Sequence, residues 1–168
     1  MTIKVIDNFL DPQEFEYAKS AFSELEYKPV PGTSGEELNA DIPHWNYYCV
    51  KMIYLDDEPQ DKSWNVIKDI FLRKFHMLCE YKTMHRVKAN FYPYGETFRI
   101  HPYHIDQEYD HQGAIFSLNT CNGFTEFEDG TKIDSVENRL FLFNPSVKHR
   151  STNTTNAMGR FNINFNFF

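Results

Sequence analysis

Cysteine is scarce: Cys49, Cys79 and Cys121 form an odd set with wide spacing and no CxxC pair. That excludes a disulfide framework and a cysteine-based zinc site, and reads as reduced thiols in a cytoplasmic protein. Long apolar runs are also missing, so no membrane-spanning helix is expected. The opening residues, MTIKVIDNFL, lack the basic-then-apolar order of a signal peptide. Positive charge is in short supply, with 17 Lys and Arg against 24 Asp and Glu and a net charge of -7. Phosphate neutralisation supplies most non-specific nucleic-acid affinity, so this balance argues against DNA or RNA as the main partner. Lys82, His85, Arg86 and Lys88 make a weak basic cluster, which reads as a solvated strand edge.

What the chain has in excess is aromatic side chains: 17% of residues, with 16 Phe and 10 Tyr. With Val, Ile and Thr they favour sheet over a helix bundle. The length of 168 residues suits one domain, 1–168. Residues 3–6 read as a strand. Asp11-Pro12-Gln13-Glu14 is a helix start with an N-cap, proline at the first helical position and a capping box. Phe15, Ala18, Phe22 and Leu25 follow at helical spacing, and Trp64, Ile67, Phe71, Phe75 and Leu78 mark a second helix over about 62–79. Residues 1–83 thus read as a helical support layer with strands. From residue 84 the pattern changes to short strands near 85–92, 98–104, 113–119, 124–128, 131–136, 139–143, 147–152 and 159–167, with a turn at Glu128-Asp129-Gly130. A mainly β chain of this kind, with N-terminal helices on one sheet, predicts a jelly-roll or cupin-like barrel, the double-stranded β-helix. The polar loop 31–43 is as much a lid candidate as a plain insertion.

Chemistry concentrates at HPYHIDQ, residues 101–107. Residues two apart in an extended chain share a face, so His104 and Asp106 present an imidazole and a carboxylate together. One further imidazole, most naturally His149, completes a 2-His-1-carboxylate set that leaves one side of an Fe(II) ion open. Arg160 follows His149 by eleven residues, at the start of the alternating run RFNINFNFF. An oxo acid chelated to the metal would leave a remote carboxylate buried, and arginine meets that charge bidentately. In the last run Arg160, Asn162, Asn164 and Asn166 share one parity and Phe161, Ile163, Phe165 and Phe167 the other. The Phe face is expected against the helices and the Asn face inside the barrel, around a wet or ligand-filled cavity.

The order HID, KH, GRFNINF, preceded by RVKANFYPYGETF and IFSLNTCNGFTEFEDG, resembles the 2-oxoglutarate/Fe(II) oxygenases of the prolyl 4-hydroxylase type, especially small bacterial and viral members. The resemblance covers about residues 84–168. It implies His104, Asp106 and His149 as metal ligands and Arg160 at the remote 2-oxoglutarate carboxylate. It also implies Tyr92 in the co-substrate pocket, with Asn90 inward beside it, and Asn119 lining the same cavity. NGFTEF matches the family's glycine-rich strand ending in a buried phenylalanine. Two positions depart: Ser117 stands where such enzymes often have a second tyrosine against the co-substrate, and Asn162 where several have serine. Both weaken the inference to proline.

The implied activity is hydroxylation of an unactivated C–H bond, with O2 and 2-oxoglutarate consumed and succinate and CO2 released. Ascorbate is a further cofactor such enzymes use. Halogenases of this fold carry a small residue at the carboxylate position, so Asp106 points to hydroxylation. The substrate is peptidyl proline or, alternatively, a free amino acid or other small molecule; the non-enzymatic alternative is a metal-free jelly-roll binding module. His101 reads as pocket rim or surface, His111 as a loop residue, Lys148 and Arg150 as outward charges, Arg139 as solvated, and His44, His76 and His85 as surface or helix positions.

Overall fold

Two antiparallel sheets carry the chain. The computed structural model describes residues 3–32 and 46–168, so most of the 31–43 loop, and His44, lie outside the described residues. The elements run β1 (Lys4–Ile6), α1 (Pro12–Ser23), β2 (Lys28–Pro31), β3 (Tyr47–Leu55), β4 (Glu58–Pro59), α2 (Trp64–Val66), a π-helical stretch (Ile67–Leu72), and α3 (Arg73–Leu78). They continue with β5 (Met84–Pro93), β6 (Gln112–Ser117), β7 (Phe124–Phe127), β8 (Lys132–Asp134), β9 (Arg139–Phe143), β10 (His149–Ser151) and β11 (Gly159–Phe167). The large sheet has the order β1-β9-β6-β11-β5-β3-β2, with β4 on β3, and the small one β10-β7-β8.

Local chemistry accounts for the ends. Asp11 accepts from the Gln13 and Glu14 amides at 3.0 and 2.9 Å, and Glu14 reaches back to the Asp11 amide, so the capping box forms around Pro12. The second helix is one stretch from Trp64 to Leu78, but its middle is widened to π geometry. That extra width lets Ile67, Ile70 and Phe71 all turn inward. The β7–β8 hairpin turns at Gly130, whose φ of +85° a side chain would resist.

The main core lies on the helix side of the large sheet. Phe15, Ala18 and Phe22 share it with Phe71, Phe75, Phe116, Ile163, Phe165 and Phe167. Phe15 meets Phe116 edge to face at 6.1 Å, and Phe75 stacks on Phe167 at 5.2 Å. Ile115, Phe127, Phe141 and Phe143 form a second cluster.

Some expected strands differ. Residues 98–104 make only single bridges, Ile100 to Thr152 and His104 to His149; Pro102, with no N–H to donate, interrupts the ladder. Strands β2, β3 and β4 stand in a region read chiefly as helical support, and β1, β2 and β3 enter the same sheet as β5 and β11. No helix among the described residues is long and apolar enough to cross a membrane.

Candidate metal centre and its cavity

The inward face of the large sheet is built by register. On β11, Arg160, Asn162, Asn164 and Asn166 lie opposite Tyr92, Asn90, Lys88 and Arg86 of β5. On the other side, Asn162, Asn164 and Asn166 lie opposite Ser117, Ile115 and Gly113 of β6. Directly opposed residues share a face, so one polar surface spans three strands. All four β11 polar residues are at most 5% exposed. Solvent is therefore not their partner.

Three side chains able to ligate a metal converge there. One ligand atom each from His104, Asp106 and His149 lies within 4.8 Å of the others. The bridge between His104 and His149, with backbone N···O distances of 2.9 Å in both directions, holds the two imidazoles 4.6 Å apart, centre to centre. Asp106 is placed by its own amide, which donates to Pro145 O at 2.9 Å. His149 Nδ1 donates to Val147 O at 2.9 Å, which leaves the Nε2 lone pair free. His104 Nε2 is 4.0 Å from Asp106 Oδ1.

Charge on these groups suits a cation. Burial alone would raise the Asp106 carboxyl, but Lys88, Arg86, His149 and the Asn166 amide outweigh it and hold it well below the usual range. Asn166 Nδ2 and Asn164 Nδ2 donate to Asp106 Oδ2 at 2.9 and 3.3 Å. Arg86 Nη2 is 3.1 Å from Oδ1, an ion pair outside hydrogen-bond geometry. Burial pulls His104 down to about 4, with His149 adding to the shift, and burial lowers His149 as well. Both imidazoles are thus neutral near pH 7, the form that ligates metal.

A cavity opens beside the cluster, lined among others by Tyr48, Lys88, Asn90, Tyr92, His101 and Asn164. Asn90 Oδ1 and Asn164 Oδ1 are buried with no hydrogen-bond partner among the described residues. Arg160 stands one layer back. Its Nε donates to Ser135 Oγ at 2.6 Å, Nη2 to Thr125 Oγ1 at 2.8 Å and Nη1 to Thr152 O at 3.4 Å. Its guanidinium lies 5.3 Å from the Tyr92 ring centre, and no carboxylate among the described residues pairs with it.

Several expected placements change. Asn119 does not line this cavity: its amide bridges Gly159 O and the Phe161 amide, tying the start of β11. Ser117 is buried on the inward face but is not among the cavity's lining residues. Asn162 does line it and accepts from Asn90 Nδ2 at 2.8 Å. His101 is not rim or surface; it is 3% exposed, lines the cavity and meets Asn46 Oδ1 at 3.0 Å. His111 is buried behind the cluster, where Asn166 Nδ2 reaches its Nε2 at 3.1 Å. Arg86 and Lys88 are not a solvated edge, because they share the inward parity of Asn90 and Tyr92. That parity is legible in RVKANFY. Tyr48 had no such signal, since nothing before residue 84 marks β3 as a neighbour of β5. Lys148 and Arg150 do point outward, to Glu128 and Glu126.

No protein-family model matches the chain. Nor does any curated protein sequence. Solved structures do match. An oxidoreductase of the 2OG-Fe(II) oxygenase family from Burkholderia pseudomallei aligns with a TM-score of 0.69 at 14% identity, over 98% of this chain and 84% of that one. A prolyl hydroxylase from Trichoplax adhaerens, in complex with a hypoxia inducible factor peptide fragment, aligns at 0.64 and 17%, over 99% and 83%. The viral collagen prolyl hydroxylase of Paramecium Bursaria Chlorella virus-1, in a 2OG complex, aligns at 0.60 and 14%, over 99% and 95%. At these identities the likeness establishes the fold: mainly antiparallel β, shared with 2-oxoglutarate/Fe(II) oxygenases and prolyl hydroxylases.

Proposed function

We propose that this chain is a single-domain 2-oxoglutarate/Fe(II) dioxygenase with a double-stranded β-helix core, its helices laid on the larger sheet. The observation that carries this reading is the His104, Asp106 and His149 cluster, with ligand atoms within 4.8 Å of one another, beside a polar cavity. The donor set fits Fe(II): two neutral imidazoles and one ionised carboxylate leave coordination positions for an oxo acid and O2. When bound, the metal supplies oxidation of the co-substrate to succinate and CO2, coupled to hydroxylation of a C–H bond. Ascorbate would maintain the reduced metal. The three cysteines are free thiols, which supports a reducing, cytoplasmic setting.

The chain's own residues do the holding. Asn164, Asn166 and Arg86 fix both oxygens of Asp106, and the Val147 carbonyl fixes the His149 tautomer, as outer-shell partners of metal ligands do. Arg160 supplies the counter-charge for the remote carboxylate of 2-oxoglutarate from behind Tyr92. Its burial without a carboxylate partner supports that role. Tyr92 Oη donates to Ser151 Oγ at 3.1 Å, which holds the ring between Arg160 and the cavity. Asn162 borders the same space.

The Trichoplax and viral likenesses support a prolyl residue in a peptide as the substrate; a free amino acid or other small molecule is the alternative. The test is succinate formation in air with Fe(II), 2-oxoglutarate and ascorbate, screened over prolyl peptides and amino acids. Wild type should form succinate with one probe and Asp106→Ala with none. Equal, background-level release from both proteins would defeat the reading.

A further inference from the structure

The inward face carries more positive charge than the proposed reaction uses. Arg86 is balanced by Asp106 at 3.1 Å. Bound Fe(II) and doubly charged 2-oxoglutarate would cancel each other. Arg160 and Lys88 remain, against a single remote carboxylate already counted. Whichever of them meets that carboxylate, a cation is left over: Arg160 is buried and Lys88 half-buried, where burial disfavours its charged form, and charge without a partner there is costly.

Lys88 is the one that faces the cavity. Among the described residues no carboxylate lies within ion-pair distance of it, and its one hydrogen bond runs from Nζ to Tyr48 Oη at 3.3 Å. An ammonium has three N–H donors, so two are unspent. Burial pushes the Tyr48 hydroxyl up to about 12, with Asp106 adding to the rise, so it keeps its proton. Because that oxygen accepts from Lys88, its own O–H is free to donate. Tyr48 stacks on Tyr92 at 5.0 Å and 12°, which fixes where the hydroxyl points. An ammonium and a phenol O–H side by side match the two oxygens of a carboxylate.

The neighbouring groups ask for the opposite polarity. Asn164 lies opposite Lys88 in register, and Asn90 is two residues along β5. Asn164 turns its Nδ2 to the Asp106 carboxylate, which fixes its Oδ1 as a free acceptor; Asn90 Oδ1 is also unpartnered. Both are at most 5% exposed. An N–H or O–H from a ligand or a water would satisfy these oxygens.

We propose that the primary substrate carries a carboxylate bound by Lys88 and Tyr48 and an amine or hydroxyl bound by Asn90 and Asn164, the group pattern of a free amino acid. This inference rests on the oxygenase reading above. An interior prolyl residue of a peptide offers neither the carboxylate nor an N–H.

The test separates the two readings. Mn(II), which binds such sites without turnover, and 2-oxoglutarate are first titrated into wild type and His104→Ala under argon. Binding by wild type alone supports the metal reading; no binding by wild type sinks it, and this proposal with it. The common L-amino acids and their carboxamides are then titrated into the Mn(II) and 2-oxoglutarate complex, read by water-proton relaxation. At least one acid should bind, with its carboxamide at least about tenfold weaker. Lys88→Met, which keeps the apolar stem, should weaken that acid about tenfold or more and leave 2-oxoglutarate affinity within about threefold. Tyr48→Phe should weaken it less. Unchanged melting temperatures would show that both variants fold. The proposal is overturned if no acid binds, if a neutral prolyl peptide binds indifferently to Lys88→Met, or if the loss falls on 2-oxoglutarate itself.

Discussion

Replacing Arg160 with methionine separates a ligand-binding cation from a structural one. Arg160 is 1% exposed and is held by three neutral oxygens, of Ser135, Thr125 and Thr152. A buried guanidinium with no carboxylate carries a desolvation cost of several kcal/mol. Removing it relieves that cost and strands two hydroxyls, Ser135 Oγ and Thr125 Oγ1, at about 1–3 kcal/mol each. These terms oppose each other. Arg160→Met should therefore shift the unfolding free energy of the ligand-free protein by no more than about 2 kcal/mol in either direction. The ligand effect should change far more. Bound at a hundredfold excess over its Kd, 2-oxoglutarate would add about 2.7 kcal/mol to the metal-loaded wild type. In Arg160→Met the same concentration should add little. Urea unfolding with Zn(II), with and without 2-oxoglutarate, measures both quantities. A loss beyond about 4 kcal/mol without ligand, together with an intact ligand effect, would make Arg160 a structural cation and refute the reasoning.

Three further outcomes follow from named contacts. The metal-free protein should lose stability as pH falls from about 6.5 towards 4. His101 and His104 have ordinary values near 6.5 in the unfolded chain and about 4 in the fold, so the unfolded chain takes up protons first. These two groups alone give a slope approaching about 2.7 kcal/mol per pH unit, His149, also lowered by burial, adds in the same direction, and His101→Asn should reduce the slope; a flat urea-midpoint profile would contradict the burial of these rings. Asn166→Ala removes the 2.9 Å donor to Asp106 and should weaken Mn(II) binding about 10–100-fold, read by titration. Phe75→Ala, fully buried against Phe9, Phe165 and Phe167, should cost about 3–5 kcal/mol in urea unfolding.

Much of the site could be read from residues because strand parity is rigid. RFNINFNFF separates into a polar and an apolar face, and the structure buries both, the Phe side in the main core and the Asn side against Asp106 and the cavity. The capping box at Asp11 was equally legible, since its donors and acceptors are local. Long-range pairing was not. Tyr48 reaches the cavity because β3 pairs with β5, and no local pattern announces that neighbour. The resemblance places Asn119 in the cavity, but its position just beyond β6 lets its amide cap β11 instead. Arg86 and Lys88 looked like solvated charge because charge is usually outside. The buried Asp106 carboxylate and the polar cavity reverse that rule here.

The central claim is tested most directly by anaerobic addition of Fe(II) and 2-oxoglutarate. Wild type should develop a weak visible absorption band from chelation of the oxo acid to the metal, and His104→Ala and Asp106→Ala should not. No band in wild type, or a band that survives both substitutions, would contradict the assignment of His104, Asp106 and His149 as the metal centre.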